Sequence, residues 1–487
     1  MRPETTRRFA LVAALAIAVA AVTRFTLRHA GSLYDDAYIY FRYVVNAQHG
    51  CGLRYNCADP PVEGFSSPAY LALLVAAHRL GLGLEAAATL LCSLAVALAI
   101  VLAAAVALRA TRRPSAALAV ALALGLDHSL LLNGVTGMET ALAAAAIALL
   151  GWTALGDGRA SVPAALFAGL CRPEALVLAV ALPLDRRVRR ARFLGALALG
   201  LAAIAGARLA LFGDLLPNTY WAKAGGTAAH AVLGLAYLGE VFAQFPLLAF
   251  APLALLDADV RGKAAPLLAG GAVWLLSFLR TGGDHFAYAR LAAPLVPLGT
   301  ALAAIGLEAA LGRVARRVAG PAAAALLVAA GLRAYTAHAL APQHGFDNVL
   351  AWRRVAEWIR ARHPGESVAT VPIGAIGYFS GAPRVIDLVG LTSRPIAHGG
   401  GAIPGGRLTR SWLGHERHDT EWVLAQAPSL IVFSKARATP WTLEDARAGF
   451  WADWLLLEQV KAGRAPYVVE DAEIAPGVHW LVLRRAP

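Results

Sequence analysis

The sequence predicts a polytopic α-helical membrane protein with a small α/β domain at its C-terminal end, and three observations carry that reading. The 487 residues are 58% hydrophobic and only 15% charged, where soluble domains are about a quarter charged, and the mean hydropathy is +0.57. Basic residues fall in short clusters between long apolar runs, which is how cytoplasmic loops are marked. Beyond residue 338 the alanine- and leucine-rich stretches give way to tryptophans, charges and short β-rich runs. The formal charge of +13 would suggest nucleic acid in a soluble chain, but the clustering accounts for it as membrane orientation, so no nucleic-acid partner is expected.

Taken in order, MRPETTRR precedes an apolar run over residues 9–27. That run is close to the roughly 20 residues a bilayer core requires, so it reads as an uncleaved first span rather than a signal peptide. YDDAYIYFRY at 34–43 then leads a helix closed near Gly50. Cys51 and Cys57 follow in the same outer loop; they could form a local disulfide in an oxidising compartment or remain two thiols, since spacing alone does not fix bond geometry. Residues 68–81 are apolar but short, and read as a helix along the membrane surface.

Further spans are expected at 85–108, 114–132, 139–155, 193–212, 231–256, 264–279, 291–311 and 318–338, alternating between basic clusters at Arg109/Arg112/Arg113, residues 186–192, Arg261/Lys263 and Arg313/Arg316/Arg317. Residues 160–184 are too short for two full spans and read as a helical hairpin around Cys171-Arg172-Pro173-Glu174. Arg172 and Glu174 would each cost roughly 3 kcal/mol at mid-membrane depth unless they face protein or water. Counting the hairpin twice gives about eleven transmembrane helices. With the N-terminus in the cytoplasm, that odd number puts the C-terminal domain outside the plasma membrane. The expected domains are therefore 1–338, membrane-embedded with a first outer loop at 28–84, and 339–487, an extracytoplasmic α/β domain large enough for its own core. Its strands are expected in SVATVP, RVIDLVGL, SLIVFS and HWLVLRR, and GGGAIPGG at 399–406 reads as a loop.

Polar side chains concentrate in the outer loops, and a site assembled from several of them is implied. One of Asp35 and Asp36 is expected to cap the helix that follows. Neighbouring side chains diverge, so the other faces a cleft, where a carboxylate partly desolvated by lipid and by Tyr34, Tyr38 and Tyr40 could serve as general base. Arg42, Arg172, Lys223 and the His285/Arg290 pair suit an anionic partner such as phosphate; the alternative is pairing with Glu63, Glu139, Glu174 or Asp284. Tyr38, Tyr40, Tyr43, Tyr220 and Trp221 could stack on sugar faces or simply anchor the chain at the interface. No glycine-rich nucleotide cradle and no metal-ligand spacing is found.

YDDAYIYFRYVVNAQHGCGLRYN, VEGFSSPAYLALL, TGMETAL, CRPEALVLA, GDLLPNTYWAK, GGDHFAYARLAAPLVPL and GAIGYFSGAPRVIDLVGL resemble, in the same order, stretches of the bacterial GT-C glycosyltransferases of the arabinofuranosyltransferase B type, a group that includes proteins labelled flagellar motor control protein. The resemblance covers nearly the whole chain. It implies a GT-C-like transferase that moves a sugar from a polyprenyl-phosphate donor to a hydroxyl of an envelope glycan, glycolipid or protein at the outer face of the plasma membrane. Asp35 matches the catalytic carboxylate and Asp36 its usual neighbour; Arg172, Glu174, Asn218, Lys223, Asp284 and Arg290 match recurrent motif positions without an individual role. The chain departs from the arabinofuranosyltransferase in its short C-terminal domain and in the Cys51/Cys57 pair. A divalent cation could assist the reaction, although no residue cluster demands one. Two other readings remain: a secondary transporter, which would place polar or broken helices near the membrane midplane in two related halves, and a non-catalytic envelope scaffold.

Overall fold

The computed structural model describes residues 3–29, 31–156, 160–182, 190–223, 225–339, 346–403 and 408–487. The expected basic cluster at Arg186, Arg187 and Arg189 and the second half of the glycine-rich loop, 404–406, lie outside the described residues.

Among the described residues, five helices are long and apolar enough to cross a membrane: Glu4–Arg28, Leu84–Thr111, Arg190–Phe212, Arg261–Thr281 and Ala293–Val314. A sixth is counted if Ala228–Gln244 and Pro246–Leu256, bent by 78° at their junction, make one span. The expected span at 231–256 is therefore broken. Pro246 disfavours helical backbone at the residue before it, and Phe245 accordingly sits at φ −121°, ψ 66°. The segment expected at 114–132 also divides, into Pro114–Gly125 and His128–Leu132, because Asp127 leaves the helix to cap the second piece, accepting from Leu130 N–H at 2.9 Å. Residues 160–182 break where the hairpin is expected to turn: Ser161–Cys171 ends at Arg172, which is extended (φ −153°) ahead of Pro173, and the chain resumes through a short 3₁₀ turn, Pro173–Ala175, into Leu176–Ala181.

The chain divides into two compact units: Met1–Ser32, Ser67–Ile204 and Gly226–Pro342 form one, and Leu33–Ser66, Ala205–Gly225 and Gln343–Pro487 the other. The second unit thus contains two segments from the first half of the chain besides the C-terminal residues. It holds a five-stranded mixed sheet made of β1 (Val368–Thr370), β2 (Val385–Asp387), β3 (Leu430–Arg437), β4 (Tyr467–Ala475) and β5 (Val478–Arg485), in the order β2-β1-β3-β5-β4. β1 runs parallel to β2 and β3, whereas β5 is antiparallel to β3 and β4. Ile386, Ile431, Phe433, Leu456, Leu457 and Leu483 are among the buried residues of its core. The four β-rich runs read from the sequence become β1, β2, β3 and β5. β4, YVVEDAEIA, is an edge strand with much of its length exposed, so its acids are solvated rather than disruptive.

Candidate functional site

YDDAYIYFRY opens the helix Asp35–Gln48, with Tyr34 at the N-cap making no side-chain cap bond. The expectation that one aspartate caps this helix is corrected in a specific way: Asp35 is bonded to a different turn. Its carboxylate accepts from the backbone N–H of Gly374 (3.0 Å to Oδ2) and of Ala375 (2.7 Å to Oδ1), at the start of Ala375–Phe379. Burial pushes the Asp35 pKa up to about 7 against the opposing effect of the Ala375 N–H, and the charge of Asp36 adds to the rise. Each carboxylate oxygen has a second lone pair, so a group held this way can still accept a proton near neutral pH.

The same helix buries the residues that hold this arrangement. The Arg42 side chain donates to the carbonyls of Tyr55 (2.7 Å), Ala382 (3.0 Å) and Gly377 and to Asn56 Oδ1 (3.0 Å), with its guanidinium 4.9 Å from the Tyr55 ring. It joins residues 55–56 to the C-terminal residues 377 and 382. Tyr38 packs against Phe41, Tyr378 and Phe379. The amide of Asn56 bonds both Val385 N–H and Val385 C=O at 2.9 Å, pairing with β2 as a neighbouring strand would. Asp387 at the end of β2 accepts from the N–H of Val389, Gly390 and Thr392, which ties down the turn after the strand. Cys51 and Cys57 are disulfide-bonded, with Cα atoms 5.2 Å apart, and they bracket Tyr55 and Asn56. Replacing both cysteines by serine is expected to cost about 2 kcal/mol, the loop-closure value for so short a loop, read as a lower unfolding midpoint of the purified protein.

Glu63 is buried against Arg208, which donates through Nε (2.9 Å) and Nη2 (3.3 Å). Arg208 was not singled out in the sequence, although a cation in the last turns of an apolar span signals a partner. Asn218, also buried, donates to the carbonyls of Gly390 and Leu391 at 2.7 and 2.9 Å, while Lys223 is exposed. Asp35, Asp36, Tyr38, Arg42, Glu63, Asn218, Lys223 and the disulfide thus all belong to the second unit.

The remaining sequence-derived residues belong to the first unit. Arg172, 5% exposed in its side chain, bonds Glu139 at 3.2 Å and Glu174 at 3.2 and 3.4 Å; Glu139 is buried and Glu174 is 42% exposed. Arg290 donates to Asp284 at 2.9 Å with its guanidinium 4.1 Å from the Phe286 ring, and His285 Nδ1 lies 3.6 Å from Asp284. Arg290 and Arg172 are close enough to repel each other electrostatically. The cations singled out in this unit are therefore held by carboxylates in fixed positions. Among the described residues, no group of three or more His, Cys, Asp or Glu side chains is placed to hold a metal ion.

Helices long and apolar enough to cross a membrane, together with a C-terminal mixed α/β domain, define a polytopic helical membrane protein. The chain is similar to ArnT from Cupriavidus metallidurans bound to undecaprenyl phosphate, with a TM-score of 0.56 over 98% of each chain at 13% identity. ArnT in the apo state matches with a TM-score of 0.51, over 93% of this chain and 94% of that one, at 13% identity. The archaeal oligosaccharyltransferase AglB from Archaeoglobus fulgidus, in complex with an inhibitory peptide and a dolichol-phosphate, matches at 0.53, over 88% of this chain and 69% of that one, at 12% identity. At these identities the likeness is one of fold. Residues 342–473 match a domain of unknown function, DUF8728, and no curated protein matches the sequence.

Proposed function

We propose that the protein is a membrane glycosyltransferase of the plasma membrane, taking a sugar from a polyprenyl-phosphate donor and attaching it to a hydroxyl of an envelope glycan, glycolipid or protein on the outer face. The observation that carries the reading is the end-to-end likeness to a structure bound to undecaprenyl phosphate, in a chain that holds a carboxylate with a pKa near neutrality at the start of Asp35–Gln48. Asp35 is the proposed base. It takes the proton of the acceptor hydroxyl as the new bond to the anomeric carbon forms, while the bond from that carbon to the phosphate oxygen breaks and its electron pair leaves with the polyprenyl phosphate. Asp36 is assigned to orienting substrate, and Asn218 and Lys223 to contacting it. Arg172 and Arg290 are assigned to the negative charge of the carrier phosphate, a task suited to guanidinium groups fixed in advance. The proposed topology has about eleven crossings, a cytoplasmic N-terminus, and residues 339–487 as the extracytoplasmic domain.

The test has two arms. The purified protein in lipid vesicles is incubated with a panel of undecaprenyl-phosphate-linked pentoses and hexoses, and the envelope glycans of a deletion strain are compared with wild type. Release of undecaprenyl phosphate from one donor, together with loss of the matching sugar from the deletion strain, is the expected result. Unchanged glycans with no donor consumed would remove the proposal. A reporter fused after residue 35 is expected to be active only outside the cytoplasm.

A further inference from the structure

We infer that the turn formed by Ile373, Gly374 and Ala375 is the positioning element for the Asp35 carboxylate, with Gly374 as the residue that cannot be replaced. This deepens the proposed function and rests on Asp35 acting as base. A Cβ at position 374 would lie 1.9 Å from the Asp35 carbonyl oxygen and 2.8 Å from its Cγ, distances no side chain can occupy without moving Asp35. Gly374 has φ −66°, open to any L-residue, so glycine is required there for space and not for conformation. The turn is itself fixed on its other side. Tyr55 Oη donates to Ile373 C=O at 2.6 Å, and Arg42 donates to Gly377 C=O. A Cβ at Gly377 would meet Tyr55 Oη at 2.2 Å. Two N–H donors from consecutive residues, Gly374 and Ala375, thus set where each carboxylate oxygen sits, and the glycine allows the approach. The other acids acting on Asp35 are Asp36 and Asp387, and the Tyr55 phenol, held neutral by burial, lies close by.

The experiment compares Gly374→Ala and Tyr55→Phe with wild type, using Gly399→Ala, which meets no neighbour within 4 Å, as the control. Gly374→Ala is expected to lower kcat about 10²-fold, the effect of roughly 1 Å of misplacement, with KM nearly unchanged. Tyr55→Phe, which only frees the Ile373 carbonyl, should lower kcat several-fold, and Gly399→Ala not at all. A second readout does not depend on sugar transfer: the pH dependence of carbodiimide labelling of Asp35, resolved from Asp36 by tandem mass spectrometry. Displacement alters both the burial that raises its pKa and the Gly374 and Ala375 N–H bonds that lower it, so the midpoint should move away from about 7 by about one pH unit in Gly374→Ala. Wild-type kcat and an unmoved midpoint in Gly374→Ala would overturn the inference. Should that variant fail to fold, the same pair of results in Tyr55→Phe would overturn it. If wild type transfers from no donor, the functional reading fails while the labelling midpoints still decide the positioning role.

Discussion

Asp35→Asn, inserted and folded as wild type, is expected to lose sugar transfer by about 10²- to 10⁴-fold, the usual contribution of a positioned general base. Asparagine keeps the shape but offers a single acceptor oxygen where the carboxylate offers one to Gly374 N–H and another to Ala375 N–H, so it can hold one of the two bonds, and it cannot take a proton. The wild-type pH profile provides an independent check. With a pKa raised to about 7, the ionised base is scarce in acid, so kcat/KM should rise about tenfold per pH unit up to neutrality and then level off. Asp36→Asn removes a like charge that contributes to the rise and should move the midpoint to lower pH with a smaller loss of rate. Stability follows the opposite sign. A carboxyl whose folded pKa exceeds its ordinary 3.8 binds its proton more tightly in the folded state, so its contribution to stability is present in acid and is lost as pH climbs from about 4 to about 7. Asp35→Asn lacks that dependence and should therefore unfold at a higher temperature relative to wild type at pH 8 than at pH 4. An Asp35→Asn protein with undiminished transfer would dismiss the base.

Much of this architecture is legible in the sequence because composition alone encodes burial in lipid. The helices Pro3–Arg28, Leu84–Thr111, Arg190–Phe212 and Ala319–Ala339 fall within a few residues of their expected runs, since each is an apolar stretch bounded by charge. The break after Gln244 was also present in the letters, as Pro246, but a hydropathy run passes over a proline that a backbone cannot. β4 escaped because Glu470, Asp471 and Glu473 mask its alternation, and only its place at a sheet edge explains them.

The candidate site divides in the same manner. Asp35 is recognisable from its neighbours in YDDAYIYFRY, whereas the two N–H groups that hold it come from residues 339 and 340 positions later. No local spacing carries that information. Glu63 and Arg208, 145 positions apart, are a partial exception, because a cation within an apolar helix and a buried acid each require a partner before the fold supplies it. Arg42 is the instructive case. Beside two aspartates it reads as a ligand for phosphate, yet its side chain makes four hydrogen bonds to protein groups. The residue serves Asp35 by fixing what surrounds it.

The second large effect concerns Arg172 and Glu139. Both are almost wholly buried and 3.2 Å apart, and removing one partner of such a pair leaves a charge with too little compensation, typically at 3–5 kcal/mol. Glu139→Ala is expected near the lower end, about 3 kcal/mol, because Arg172 keeps a second carboxylate partner in Glu174 at 3.2 Å. Thermal unfolding of the purified protein in detergent reads this as a lower midpoint. Replacing both residues together, Glu139→Leu with Arg172→Met, removes the buried charges at similar volume and should recover most of the lost stability. The pair also separates two roles that a single substitution confounds. If Arg172 only holds the fold, the double variant regains transfer along with stability. The proposed role at the carrier phosphate requires instead that stability returns while transfer stays low, since methionine restores packing but cannot offset the charge that develops as the lipid phosphate departs.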